Sequence, residues 1–282
     1  MDWIYIIYVF ILGTLIGSFV NVVSLRYNTG RSISKGRSKC FSCNKTLKWY
    51  QMIPIFSFLF QKGKCSTCKS KISFQYPAVE FILGLIFVGI ALREYQLWSL
   101  YSQLSNGLAY SIFLFVFYSV VFSLLLVVVI YDIKHKVIPD IFSYTFIALG
   151  ILKLGLFFYL KDFSVTGTDL LDVAAPFILS APLALLWLVS KGKWIGFGDA
   201  KLVFGIGACL GLVSGINAVI LAFWIGAIWS IFALAKNYRS RKNKVHLETE
   251  VPFAPFLILG MFLIFLTQVD LIGLGTLLNS IY

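Results

Sequence analysis

Long apolar runs without any charge set the first limit on what this chain can fold into. The run from Tyr110 to Tyr131 contains no charged residue, and as a helix it would rise about 33 Å, enough to cross a hydrocarbon core of roughly 30 Å. Charged residues make up only 13% of the sequence, about half of the roughly 25% that is usual in soluble domains. The sequence therefore predicts an integral membrane protein and excludes a soluble, disordered or secreted disulfide-rich chain.

Charged residues and Pro and Gly breaks divide the sequence into about eight apolar segments: 3–25, 79–92, 107–131, 141–160, 173–190, 202–214, 216–235 and 253–268. We therefore expect an all-α polytopic membrane protein with about eight transmembrane helices. The segments 79–92 and 202–214 are short for a roughly 30 Å core, so we expect them to recruit flanking residues or to lie in thinner membrane. In the first segment, Gly13, Gly17 and Asn21 recur every four residues and predict a stripe that packs against another helix.

The basic residues are concentrated in one loop. Of the 24 Lys and Arg residues, eleven lie between Arg26 and Lys71, and no Asp or Glu occurs from Trp3 to Val79. Basic loops are retained in the cytoplasm, so this loop is predicted to be cytoplasmic, which puts both termini of a multi-pass plasma membrane protein outside. Binding of nucleic acid is the alternative explanation of the charge. Retention needs no such partner, and we expect none.

The same loop carries two paired cysteine turns, Cys40-Phe-Ser-Cys43 and Cys65-Ser-Thr-Cys68, with 21 residues between them. Two C-x-x-C turns can close a four-sulfur shell around one ion, which predicts a structural zinc site. Disulfides are the alternative, and a reducing cytosol disfavours them. A metal would supply folding energy to a loop that cannot bury a large apolar core.

Acidic residues at membrane-spanning helices are costly and indicate function. We expect four of them near the cytoplasmic face: Glu80, Asp132, Asp140 and Asp199. Asp140 follows Pro139, and this pair suits the first turn of a helix. Asp132 ends an apolar run, where the helix dipole disfavours a carboxylate. Its position therefore calls for another explanation.

Asp199 follows Gly196-Phe-Gly198, and glycines permit backbone conformations and close approaches that side chains forbid. The next glycines continue a four-residue spacing that predicts packing against another helix: Gly207, Gly211 and Gly215. Two neighbouring carboxylates share a proton, so one can activate a water while the other protonates a carbonyl oxygen. Asp132 and Asp199 therefore indicate aspartic peptidase chemistry. The alternative is a proton-coupled transporter that uses the same two aspartates as a proton relay.

The motifs, in their order and spacing, resemble those of the type IV prepilin peptidases, which are polytopic aspartic proteases of the bacterial inner membrane that also N-methylate their products. The resemblance extends over nearly the whole chain and includes Gly17-Ser-Phe-Val-Asn-Val-Val-Ser-Leu-Arg26, the paired cysteine turns, Gly63-Lys-Cys65, Gln75-Tyr-Pro-Ala-Val-Glu80, Asp132 to Asp140, Gly196-Phe-Gly-Asp-Ala-Lys201 and Pro252-Phe-Ala-Pro-Phe256. Ala254 departs from the commonest pattern, which has Gly at this place.

This resemblance implies that Asp132 and Asp199 form the peptidase dyad, supported by Gly196 and Gly198. It implies pilin-like precursors as substrates, in type IV pilus assembly, type II secretion or competence, within a membrane lipid environment. We expect three parts: residues 1–25 as the first transmembrane helix, 26–78 as a cytoplasmic loop associated with methyl transfer, and 79–282 as a transmembrane aspartic peptidase domain.

The resemblance also implies S-adenosylmethionine as the methyl donor, with Gly63 and Glu80 as methyl-transfer candidates. Glu80 would steer the cationic amine of the cleaved product. Its alternative explanation is an acid favoured by the dipole at a helix start.

Overall fold

All regular structure in the described part of the chain is helical. The computed structural model describes residues 3–33, 36–102, 107–160, 167–239 and 251–276. Its α-helices are α1 (Trp3–Arg26), α2 (Phe56–Phe60), α3 (Gln75–Tyr101), α4 (Gly107–His135), α5 (Asp140–Leu160), α6 (Gly167–Ser190), α7 (Phe197–Leu210), α8 (Leu212–Arg239) and α9 (Ala254–Thr267). The chain termini, which we expect outside the cytoplasm, lie outside the described residues.

Six of these helices are long and apolar enough to cross a membrane: α1, α3, α4, α5, α6 and α8. This confirms an all-α polytopic membrane protein, but the described residues do not confirm eight spans. The predicted segments 202–214 and 253–268 correspond to α7 and α9, which have 14 residues each and rise only about 21 Å. The short segment 79–92 recruits its flanking residues, as expected, and becomes part of the 27-residue α3.

The chain forms two compact units, Met1–Val127 and Val128–Tyr282, and the division falls within α4. In the first unit, α1 packs along α3. In the second unit, α7 packs against α5, α6, α8 and α9. Most residues of α7 are buried, so this short helix is the core of the second unit.

The small and polar stripe of α1 faces α3. A Cβ atom added to Gly13 would lie 2.8 Å from the Cα atom of Gly84, so the two backbones approach as closely as glycine allows. The buried Asn21 amide donates a hydrogen bond to the carbonyl oxygen of Tyr76 at 3.2 Å. The prediction that this stripe packs against another helix is therefore confirmed.

Small residues also let α7 approach its neighbours. A Cβ atom on Gly205 would clash with the ring of Phe146 in α5, and one on Gly207 would lie 2.8 Å from the Cα atom of Pro176 in α6. Both would force the helices apart. The first turn of α7, which carries Asp199, is therefore positioned by close contacts further along the same helix.

The predicted glycine series does not lie on one helix. Gly211 has a φ of +80°, and this left-handed conformation ends α7 after Leu210. The Asp172 carboxylate accepts a hydrogen bond from the Leu212 N–H at 2.9 Å, which satisfies a free amide at the start of α8. The expectation of a continuous helix through Gly211 was therefore wrong.

Candidate active site and metal centre

Asp132 lies in the last turn of α4 and its side chain is buried. Its Oδ2 atom accepts a hydrogen bond from the backbone N–H of Ala254 at 3.3 Å. Ala254 is the first residue of α9, where amides have no partner within the helix. In the sequence, the stretch around Ala254 contributes to the family resemblance but predicts no contact with Asp132. Its two prolines beside a helix start were the signal that free amides lie there.

Asp199 lies in the first turn of α7 and is also buried. Burial, together with the negative charge of Asp132, raises the pKa of the Asp199 carboxyl to about 7. The charge of Asp132 thus acts on Asp199, which places the two aspartates predicted from the sequence within electrostatic range. Such a pair holds one proton near neutral pH, which suits it to acid–base chemistry.

The two glycines before Asp199 act differently. Gly196 has φ −74° and ψ 144°, a conformation that any residue adopts, so its backbone does not require glycine. A Cβ atom on Gly198 would lie 2.9 Å from the Cβ atom of Ile138, in the connection between α4 and α5. Of the two explanations considered for the glycines, close approach applies to Gly198, and conformational freedom applies to neither.

Asp140 is the first residue of α5, as predicted. It also forms an ion pair that the sequence analysis missed, with 2.6 Å between its Oδ1 atom and the Nζ atom of Lys201. The Lys201 ammonium lies 4.7 Å from the ring centroid of Tyr144 and 5.1 Å from that of Phe197. The start of α5 is thus tied to α7 two residues beyond Asp199.

The four paired cysteines meet in the first unit. One ligand atom from each residue lies within 4.8 Å of the other three: Cys40, Cys43, Cys65 and Cys68. A tetrahedral zinc site with Zn–S bonds of about 2.3 Å has sulfur–sulfur edges of about 3.8 Å, and the Cys40 and Cys68 sulfurs are 3.8 Å apart. All four residues are free thiols. The cluster can therefore hold a metal ion.

The two cysteine turns have the same local geometry. The N–H of Cys40 bonds to Lys45 O at 3.0 Å, and the N–H of Cys65 bonds to Ser70 O at 2.8 Å. Each turn is also flanked by one of the isolated antiparallel bridges of this loop. Backbone N–H groups of Cys43 and Ser42 lower the pKa of the Cys40 thiol to about 6. The Lys45 N–H acts in the same direction on the Cys43 thiol, but desolvation and hydrogen bonding with Cys40 and Cys68 outweigh it and raise the pKa of Cys43 to about 11. Thiolate is the form that binds metal, so Cys40 is the residue of this turn whose surroundings favour a metal ligand.

Glu80 is buried in α3 and holds the loop between α1 and α3. Its Oε2 atom accepts a hydrogen bond from the backbone N–H of Ile55 at 2.8 Å. Ile55 has a φ of +59°, which is unusual for a β-branched residue. Since α3 begins at Gln75 and has no acidic residue in its first turn, the dipole explanation of Glu80 was wrong.

Gly63, the other methyl-transfer candidate, lies in the turn after α2. Its φ is +65°, and an added Cβ atom would lie 3.0 Å from the ring of Phe58. The left-handed φ favours glycine at this position, and the ring of Phe58 leaves little room for a side chain. The structure thus explains Gly63 as a folding requirement of the loop.

Residues 11–94 match the family described as Bacterial Peptidase A24 N-terminal domain, and residues 119–231 match the Type IV leader peptidase family. A Bacillus subtilis (strain 168) protein named prepilin leader peptidase/N-methyltransferase is 33% identical over 261 residues, covering 91% of this chain and 92% of that protein. A protein of the same name from Myxococcus xanthus (strain DK1622) is 29% identical over 251 residues, covering 88% of this chain and 68% of that protein.

A further relative is the type 4 prepilin-like proteins leader peptide-processing enzyme of Escherichia coli O78:H11 (strain H10407 / ETEC). It is 28% identical over 277 residues, covering 88% of each chain. No solved structure matches the chain. The matches span both compact units and include both aspartates and all four paired cysteines, and the chain therefore belongs to the type IV leader peptidase family.

Proposed function

We propose that this protein is an aspartic endopeptidase that removes the leader peptide of type IV pilin-like precursors at the cytoplasmic face of the bacterial inner membrane, and that it N-methylates the new N-terminal residue. The observation that carries the peptidase proposal is the pair of buried carboxylates, Asp132 and Asp199, within electrostatic range of each other. Membership of the leader peptidase family supports type IV prepilin processing.

In the proposed reaction the dyad begins with one proton, on Asp199. Asp132 takes a proton from a water as the water oxygen bonds to the scissile carbonyl carbon, and Asp199 gives its proton to the carbonyl oxygen. The tetrahedral intermediate then collapses: one hydroxyl returns its proton to Asp199 as the carbonyl re-forms, the C–N bond breaks, and the departing amine receives the proton held by Asp132. The Ala254 N–H, which donates to Asp132, orients that carboxylate for the first step.

Replacing either aspartate by asparagine tests the dyad. Asparagine keeps the shape of the side chain but cannot exchange the shared proton. We expect Asp132→Asn and Asp199→Asn each to abolish leader removal, and the double variant to be hardly worse, because the two residues act as a unit. Asp270→Asn, which changes an aspartate in the C-terminal stretch, should cleave normally.

The assay incubates purified full-length protein with a pilin-like precursor and follows loss of the leader. Substantial cleavage by Asp199→Asn would refute the dyad. If the unsubstituted protein cleaves no cognate precursor, the proton-coupled transporter, with both aspartates as a relay, becomes the better explanation.

For methyl transfer, the proposed donor is S-adenosylmethionine. The described residues form no parallel sheet of the Rossmann kind, so the methyl donor would bind in a site of another type. We assign no reaction step to the donor. The acceptor amine exists only after cleavage and has a pKa of about 8 when free. We propose that the Glu80 carboxylate steers this cationic amine, and that Gly63 keeps the loop in the required conformation.

Two substitutions at one position separate charge from structure. Glu80→Gln removes the charge, but its amide oxygen can still accept the Ile55 N–H, whereas Glu80→Ala loses both. We expect Glu80→Gln to cleave a precursor normally and to lose methyl incorporation. Normal methylation in Glu80→Gln would remove the charge of Glu80 from the reaction. Loss of cleavage as well would show that the two activities do not separate at this residue.

A further inference from the structure

The short helix α2 has one packed face and one bare face. Phe58 is half-buried, and its ring meets the Phe74 ring with 6.2 Å between centroids. Phe56, Leu59 and Phe60 recur at helical spacing on the opposite side and are 60%, 62% and 83% exposed. We call these three side chains the outer face of α2. Exposed apolar clusters of this kind mark interaction surfaces.

A hydrogen bond fixes the depth at which α2 lies. Ile55, immediately before α2, donates its N–H to Glu80 of α3 at 2.8 Å. The candidate span of α3 begins at Gln75, so Glu80 lies only about 7.5 Å along the helix axis from the start of that span. The N-terminal end of α2 is therefore held where a spanning helix enters the membrane, the region in which interfacial helices bury their apolar faces.

The charge around α2 selects the kind of surface it meets. No Asp or Glu occurs from Trp3 to Val79, and Lys62 and Lys64 follow α2 directly. Basic residues beside exposed aromatic side chains are typical of segments that bind anionic lipid headgroups.

We propose that the outer face of α2, together with Lys62 and Lys64, docks on the anionic phospholipid surface of the membrane that α3 crosses. The apolar side chains enter the boundary between headgroups and acyl chains, and the lysines pair with lipid phosphates. Docking holds the loop that carries the cysteine cluster against the bilayer. This inference is independent of the proposed catalytic function.

Tryptophan fluorescence in full-length protein tests the docking. Phe60→Trp adds one emitter on the outer face to the seven native tryptophans, whose signal is subtracted with the unsubstituted protein. The protein is placed in nanodiscs of phosphatidylcholine alone or with phosphatidylglycerol, with brominated acyl chains as the quencher. We expect strong quenching of the added signal in anionic discs, weaker quenching in neutral discs, and a decrease when salt screens the charges.

Two further measurements guard against a local disturbance. In the Phe60→Trp background, Lys62→Gln and Lys64→Gln should each weaken docking about fivefold and together bring quenching close to that in neutral discs. In the unsubstituted protein, amide hydrogen exchange over residues 52–64 should be slower in anionic than in neutral discs.

Four results would overturn the proposal. The first two are an added tryptophan signal that no lipid quenches, and quenching and hydrogen exchange that are equal in both lipids. The third is protection of residues 52–64 from exchange that depends on protein concentration, which would indicate a second copy of the chain. The fourth is protection of these residues that appears only when a precursor is added. If Phe60→Trp does not fold, Leu59→Trp and the exchange measurement give the same decision.

Discussion

The close approach of Gly198 to Ile138 leads to a prediction about catalytic geometry. In Gly198→Ala, the new Cβ atom would lie 2.9 Å from the Cβ atom and 3.1 Å from the Cδ1 atom of Ile138. Carbon atoms in contact prefer about 3.5–4.0 Å, so the first turn of α7 and the connection between α4 and α5 must separate by roughly 0.6–1 Å. Asp199 is the next residue and moves with that turn.

Folding should tolerate this change better than catalysis does. Overpacking costs about 1–3 kcal/mol, and replacing a helical glycine by alanine returns about 1 kcal/mol, which leaves a net loss of about 0–2 kcal/mol. A displacement of about 1 Å in a catalytic group can lower the rate about 100-fold. We therefore expect Gly198→Ala to remain folded while kcat/KM for precursor cleavage falls about 100-fold.

The assay compares purified variants by thermal unfolding and by initial rates of leader removal. Gly155→Ala is the matched control, because an added Cβ atom there meets nothing within 4 Å, and its activity should stay normal. Adding Ile138→Ala to Gly198→Ala removes the Cγ1 and Cδ1 contacts and should restore part of the rate. Normal kcat/KM in Gly198→Ala would refute the argument that this approach positions Asp199.

Three other predictions concern charge and metal. The pKa of Asp199 rises from 3.8 to about 7 on folding, so between these two pH values the native protein keeps a proton that the unfolded chain has lost. The contribution of Asp199 to stability therefore falls as pH rises through about 7. Asp199→Asn should raise the thermal midpoint above pH 7 but not near pH 4, and an equal shift at both pH values would contradict the raised pKa. Cys43→Ser should remove a bound zinc, of which we expect about one per chain, and lower the thermal midpoint, whereas Cys209→Ser should keep the metal; metal analysis of both variants decides this. Lys201→Met and Asp140→Asn should each lower the free energy of unfolding by only about 1 kcal/mol, because Asp140 is largely exposed and water weakens the ion pair. The double variant should cost less than the sum of the two single variants. Strict additivity in this double-mutant cycle would show that the ion pair contributes nothing.

Features that depend on neighbouring residues could be predicted from the sequence. Long uncharged runs predict spanning helices, since transfer of each segment into lipid depends mainly on its own composition. The spacing within each C-x-x-C turn predicts that its two sulfurs can meet one ion. The unfavourable dipole position of Asp132 and the G-x-G-D arrangement at Asp199 singled out the aspartates that the structure brings together.

Other features depend on which distant segments pack together, and only the tertiary structure decided them. Asp132 and Ala254 are 122 residues apart in the chain. The residues around Asp132 do not show which of the several helix starts its carboxylate will meet. The Lys201 to Asp140 ion pair and the contact of Glu80 with Ile55 arise in the same way. The end of α7 at Gly211 was also hidden, because a glycine continues a helical small-residue series as readily as it ends a helix, and packing chooses between the two. Hydropathy and spacing thus determined the membrane class, the four-cysteine cluster and the catalytic candidates, whereas long-range packing determined the hydrogen-bond partners and the helix boundaries.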